Sequence, residues 1–313
     1  MYDLIIIGGG PGGVAAGIYA ARKKMKVALI AGDFGGQSLV SADIQNWIGT
    51  KSVSGFDFAK MLEGHLRAQE GIEIYQSDMV EKAEKSGNGF KISTKEGKTF
   101  ETGTILVATG SARKKLNVPG EAKLDGKGVV YCSTCDAPIF KNKITAVIGG
   151  GNAGLEAVLD LIPYASKIYL LEYGDQLKGD AVTQEKIKAN SKVEIILNAK
   201  TSEILGDKFV TGLKYEDRSD SQAKELKLDG VFVEIGSYPN TGFVKDLAKL
   251  NDFGEIIVDH KTQQTSQPGI WAAGDASDVL YKQNNISAGD AIKAVLNIAD
   301  YLNKGGSAGG YTK

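Results

Sequence analysis

LIIIGGGPGG, residues 4 to 13, runs a short β-branched strand straight into a glycine turn, and Val14 to Lys24 after it reads as an Ala-rich helix. A second apolar run, Lys26 to Ile30, completes a βαβ unit. The same grammar returns further along the chain. Ile144 to Ile148 is a strand, GGGNAG from Gly149 to Gly154 is a turn, a helix runs through about Ile162, and Lys167 to Leu171 is the next strand. In GxGxxG the first glycine permits the tight turn, the second lets backbone approach a pyrophosphate, and the third allows close helix–strand packing. Gly8, Gly10 and Gly13, with Pro11 at the helix entry, fill the first copy; Gly149, Gly151 and Gly154, with Asn152 and Ala153, fill the second. The helix that follows each turn offers free N–H groups and the positive end of its dipole to a phosphate. One copy alone is a weak signal. Two copies, each between strand and helix and far apart in the chain, indicate two dinucleotide-binding domains.

ILVATG (105 to 110) and GIWAAGD (269 to 275) are further buried strands running into turns, and the second glycine unit lies between them. The economical arrangement is an α/β chain of two Rossmann-like domains, the second inserted into a discontinuous first. The expected bounds are 1–113 with 244–313 for the first domain and 114–243 for the second. The expected linkers, near 113–120 and 236–242, each carry proline and glycine. GGSAGGYTK at the end of the chain reads as a flexible tail without an assigned role.

At 313 residues, 42% apolar, the chain can bury more than one core. Lys and Arg total 37 against 38 for Asp and Glu, so no field of either sign draws in nucleic acid or an acidic membrane. MYDLIIIGGGPGG lacks the basic start and unbroken apolar run of a secretory signal, and no later segment approaches the roughly 20 apolar residues of a membrane span. The expectation is a cytoplasmic protein.

The end of the strand after each turn separates the two sites. In the second copy it is Glu172, whose carboxylate suits a ribose hydroxyl and repels a 2'-phosphate, which favours NADH. No arginine lies between Lys167 and Ala181, and Lys178 is the only cation between Glu172 and Ala181. In the first copy the place holds Ala31, with Asp33 two residues on as a candidate ribose contact. The chain has two cysteines, spaced as Cys132-Ser133-Thr134-Cys135 and followed by Asp136. That spacing serves a working dithiol rather than a disulfide scaffold. A zinc site needs about four ligands, and His65 and His260 do not stand at ligand spacing, so no metal is expected.

GGGPGG (8 to 13), FGGQ (34 to 37), Asn46, ATG (108 to 110), YCSTCD (131 to 136), GGGNAGLEA (149 to 157), PNT (239 to 241), AAGD (272 to 275) and KQ (282 to 283) together resemble the low-molecular-weight thioredoxin reductase family. Within it the pattern is similar to the flavoprotein subunits of alkyl hydroperoxide reductases. The resemblance covers Tyr2 to about Leu302. It implies an FAD site surrounded by Gly36, Gln37, Asn46, Thr109, Gly110, Gly274, Asp275, Lys282 and Gln283. It also implies that Cys135 faces the flavin, Cys132 exchanges with the partner and Asp136 handles protons. Leu171-Glu172-Tyr173 stands where the NADPH-using reductases carry a His-Arg-Arg-type cluster. The peroxide-reductase flavoproteins carry an extra N-terminal thioredoxin-like domain, whereas here the first strand begins at Tyr2, so a separate acceptor is expected. The function implied is electron transfer from NADH through FAD and the dithiol to a small thioredoxin-fold or glutaredoxin-like disulfide protein, by a homodimer. An NADH oxidase forming hydrogen peroxide, and a non-catalytic flavin-binding redox sensor, fit the same residues.

Overall fold

The computed structural model describes residues 1–41 and 44–306; most of the glycine-rich tail lies outside the described residues. The chain forms two compact units: Met1–Leu39 with Trp47–Ala112 and Tyr238–Lys313, and Val40–Asn46 with Arg113–Ser237. The long crossings fall at Ala112/Arg113 and Ser237/Tyr238. The segment after the second crossing belongs with the first unit, because Asn240 donates its backbone N–H to the Gly110 carbonyl (3.0 Å) and its amide to the Thr109 carbonyl (3.0 Å).

Among the described residues of the first unit, seven strands form one sheet in the order Ile72–Gln76, Val27–Phe34, Tyr2–Gly9, Thr99–Val107, Gly89–Thr94, Val80–Ser86, with Ile270–Ala272 added beside Thr99–Val107. The strand Thr99–Val107 divides its length between partners. Its first half pairs antiparallel with Gly89–Thr94, and Ile105 to Val107 pair in parallel with Ile270 to Ala272. Leu4, Ile5 and Ile6 are fully buried, as parallel strands covered on both faces require. The second strand runs on to Phe34, past the expected end at Ile30, because a register shift after Ile7 lets Gly9 pair with Phe34.

The first helix spans Pro11–Arg22 and so starts ahead of the expected Val14. Proline at the first helical position has its φ already set and loses no needed donor. The small residues Gly13, Ala16, Gly17 and Ala20 let this helix lie close on its neighbours, among them the C-terminal helix Asn284–Asn303.

Among the described residues of the second unit, five parallel strands stand in the order Val193–Ile196, Lys167–Leu171, Ile144–Ile148, Gly230–Val233, Val129–Val130. Beside them lies an antiparallel three-stranded sheet, Ala199–Gly206, Val210–Asp217 and Gln222–Lys227. The helix Asn152–Leu161 buries Leu155, Val158 and Leu161 against Val147, Ile168 and Phe232. Among the described residues no helix is long and apolar enough to cross a membrane.

Candidate active site

Both glycine turns have the same construction. Gly8 has φ +121° and Gly149 φ +120°, a region side chains rarely adopt, and a Cβ would fall onto the carbonyl oxygen of Ala108 at the first and of Glu234 at the second. Gly13 and Gly154 pack their helices against the turns so closely that a Cβ would overlap the Gly8 or Gly149 carbonyl. Gly13 therefore does not line a site: it sets how near the helix lies.

In the first unit the turn opens into a cleft of about 650 Å³, within the roughly 300–1,000 Å³ of cofactor sites. Gly8, Gly10, Pro11, Asp33, Gly36, Gln37, Thr109, Gly110, Gly274 and Asp275 line it. Gly10 caps the first helix without a side chain, leaving the helix entry open to a phosphate. Asp33 lies exposed at the cleft beside the strand end. The Gln37 amide donates to Ser111 Oγ (3.1 Å) and to Asp275 Oδ2 (3.2 Å), and Ser111 Oγ donates to the same oxygen (3.3 Å). Thr109 Oγ1 donates to the Asn240 carbonyl (2.7 Å). A glycine cradle, an open helix N-terminus and a polar net at one wall fit a dinucleotide.

Three residues expected around this cleft do not line it. Asn46 is exposed in the segment Val40–Asn46, which clusters with the second unit. Lys282 is held as a structural tie, donating to the Ser277 carbonyl (2.7 Å) and pairing with Glu255 (2.9 Å). Gln283 occupies the N-cap position of Asn284–Asn303, and from that helix Asn284 and Ser287 reach the cleft instead. Asn240 stood in the PNT stretch without an assigned role, and Ser111, Asn284 and Ser287 carried no motif; only the turn beside Gly110 and the start of the last helix could have suggested these three.

In the second unit Gly151, Asn152 and Ala153 begin the helix, and the Asn152 side-chain oxygen accepts the Asp180 N–H (2.8 Å). Glu172 follows the strand Lys167–Leu171 and is buried. It is 8% exposed, and its two oxygens accept the N–H groups of Gly150 (2.6 Å) and Gly174 (2.8 Å). The carboxylate thus braces the second glycine turn. The sequence also concealed a cation: Arg218, following the strand Val210–Asp217, stacks its guanidinium 4.0 Å from the Tyr173 ring centre and donates to the Tyr173 carbonyl (3.0 Å). Arg218 lies too far along the chain for the spacing after Glu172 to reveal it.

Cys132 and Cys135 are joined by a disulfide, with Cα atoms 5.3 Å apart, across a single helical turn. Both are half-buried. Asp136 is 5% exposed, and burial pushes its carboxyl up to about 7. Asp160, from the helix Asn152–Leu161, accepts from Ser133 Oγ (2.8 Å) and Thr134 Oγ1 (3.2 Å), fixing the two residues between the cysteines. A disulfide next to an acid that titrates near neutrality can exchange electrons and protons together.

Comparison with known proteins agrees with this chemistry. The family described as pyridine nucleotide-disulphide oxidoreductase matches residues 2–292. An alkyl hydroperoxide reductase subunit from Staphylococcus aureus (strain MRSA252) is 42% identical over 301 residues, covering 96% of this chain and 59% of that protein. The chain therefore spans about three fifths of the length of the curated relatives it matches. Thioredoxin reductase from Streptococcus pyogenes MGAS5005 superposes with a TM-score of 0.90 at 34% identity, over 97% of this chain and 99% of that one. Thioredoxin reductase from Giardia duodenalis gives 0.89 at 30% identity, over 96% and 99%. With two glycine turns, a CxxC disulfide and these relatives, the chain belongs to the pyridine nucleotide-disulphide oxidoreductase family.

Proposed function

We propose that this protein carries electrons from NADH, by way of FAD held in the first unit, to the Cys132–Cys135 disulfide and on to a disulfide of a small thioredoxin-fold or glutaredoxin-like protein. The observation that carries the reading is the Cys132–Cys135 bond beside buried Asp136, in the unit that also holds the second dinucleotide turn. FAD, when bound, supplies the two-electron chemistry that links a nicotinamide hydride to a disulfide.

The chain's own residues do the rest. Gly8 and Gly10 admit the pyrophosphate, Asp33 takes a ribose hydroxyl, and Gln37, Ser111 and Asp275 hold the polar wall. Gly149 and Gly151 admit the nicotinamide nucleotide at the other turn. Glu172 opposes a 2'-phosphate there, since a like charge at a partly desolvated site costs several kcal/mol. Arg218 acts in the opposite sense. Breaking the Cys132–Cys135 bond with two electrons and one proton yields one thiol and one thiolate, and Asp136, near 7, can hold the second proton. Cys132 as thiolate then attacks the partner disulfide, and Cys135 resolves the mixed disulfide, releasing the partner as a dithiol.

The test is a trap. Cys135→Ser leaves the mixed disulfide unresolved, so a reduced variant should hold a thioredoxin-fold protein through Cys132. Failure to capture any disulfide protein, with oxygen uptake at full rate after both cysteines become serine, would replace this reading with an oxidase.

A further inference from the structure

The residue after Glu172 offers a flat aromatic surface that the glycine motif does not include. The backbone on both sides of Tyr173 is tied down: the Glu172 carbonyl accepts the Ala199 N–H (2.9 Å) and the Gly174 carbonyl accepts the Asn198 N–H (2.8 Å). The Gly174 N–H is itself held by Glu172 Oε1 (2.8 Å). Arg218 reaches the same place because its backbone N–H donates to the Asn198 carbonyl (2.8 Å). From there its guanidinium lies over the Tyr173 ring, 4.0 Å from the centre, and donates to the Tyr173 carbonyl (3.0 Å). A planar cation that stacks on a ring and hydrogen-bonds to the same residue's backbone holds the ring in one plane. Even so, Tyr173 is 56% exposed. Its ring is covered by the guanidinium and still presents aromatic surface to solvent.

A dinucleotide on a glycine turn of this kind sets its pyrophosphate at the helix N-terminus and its adenosine ribose at the acidic residue ending the next strand. Here those places are Gly149 to Gly154 and Glu172. The base carried by that ribose emerges past Glu172, where the chain puts Tyr173. Base–aromatic stacking needs a ring that is exposed on one side and fixed in orientation, and Tyr173 has both properties. We infer that Tyr173, held in plane by Arg218, is the platform on which the adenine of the nicotinamide nucleotide stacks. Guanidinium, tyrosine ring and purine then form one pile. Recognition is by the face of the base, so it adds affinity for the adenosine half of NADH and NADPH alike. The choice between the two nucleotides is left to the Glu172 carboxylate and the Arg218 charge. This inference rests on the second glycine turn taking the nicotinamide nucleotide.

The test uses the whole FAD-loaded chain and two reductants that differ only in the adenosine half, NADH and reduced nicotinamide mononucleotide. Tyr173→Ala should raise the KM for NADH at least about fivefold, the low end of what one stacked base contributes, and should leave the KM for the mononucleotide where it was. Tyr173→Phe keeps the ring and should restore the wild-type KM. NADPH should lose as much as NADH in Tyr173→Ala, because the ring touches no phosphate. Calorimetric titration with ADP-ribose gives a reading that needs no electron transfer, and Tyr173→Ala should weaken that affinity by the same factor. A KM for NADH and an affinity for ADP-ribose that ignore the loss of the ring overturn the platform and leave the proposed electron donor standing. An equal rise in KM for the mononucleotide also overturns it, since the Tyr173–Arg218 contact is then only a tie within the fold. If Tyr173→Ala weakens ADP-ribose but NADH never reduces the flavin, the platform stands and the proposed electron donor falls.

Discussion

Replacing Asp136 by Asn should make the protein more stable and a worse catalyst. Asp136 is 5% exposed, and burial moves its carboxyl from its ordinary 3.8 to about 7. Between those values the folded chain keeps a proton that the unfolded chain has lost. Wild-type stability therefore declines as pH rises from about 4 to about 7, then levels. The full decline approaches about 4 kcal/mol, from about three pH units at about 1.4 kcal/mol each. Asn has the same size and no charge, so the variant lacks this slope. It should match wild type near pH 4 and exceed it by up to about 4 kcal/mol above pH 7. Glu234 adds a slope of the same sign to both proteins, a smaller one in the variant because the Asp136 charge helps raise its carboxyl, so the difference reports Asp136 together with that coupling. Denaturant unfolding of the oxidised protein at a series of pH values measures it. Turnover should fall by about 100-fold or more at the same time if Asp136 handles the proton. An Asn variant that is less stable than wild type at every pH, or a wild type whose advantage over it grows toward neutral pH, would refute the reasoning.

Gly8→Ala places a Cβ on the Ala108 carbonyl at φ +121°, so the purified variant should take up little or no FAD, read from its visible absorbance. NADH should be preferred to NADPH by at least about tenfold in kcat/KM. Glu172→Ala should narrow that gap, with some loss of stability because the Gly150 and Gly174 N–H groups lose their acceptor. Arg218→Ala should widen it by weakening NADPH, measured as the KM ratio of the two nucleotides. Asp160→Ala releases the Ser133 and Thr134 hydroxyls and should slow reduction of the disulfide by dithiothreitol or NADH while leaving FAD bound.

The parts of the fold that were legible in the sequence are those set by local rules. A β-branched run followed by GxGxxG has few other ways to satisfy its backbone, so both strand–turn–helix units stand where the residues put them. The third glycines act through packing, as their spacing implied. Long-range placement was not legible. Nothing adjacent to Glu172 in the chain announces Arg218, which reaches Tyr173 because its neighbour Asp217 pairs with Ala199, whose N–H donates to the Glu172 carbonyl. Asn46, Lys282 and Gln283 came from resemblance rather than from a local rule, and the cleft is lined without them. Lys282 shows why: its charge is spent on Glu255 and on the Ser277 carbonyl, contacts that no motif encodes.

The most direct measurement is a thiol count under anaerobic conditions. The oxidised, FAD-loaded protein is given NADH in small steps, and accessible thiols are counted after each. The chain has two cysteines, both in the Cys132–Cys135 disulfide. The account predicts that both appear as thiols in step with NADH consumed, and that a small disulfide protein added afterwards removes them. NADH consumed with no thiols formed would contradict it.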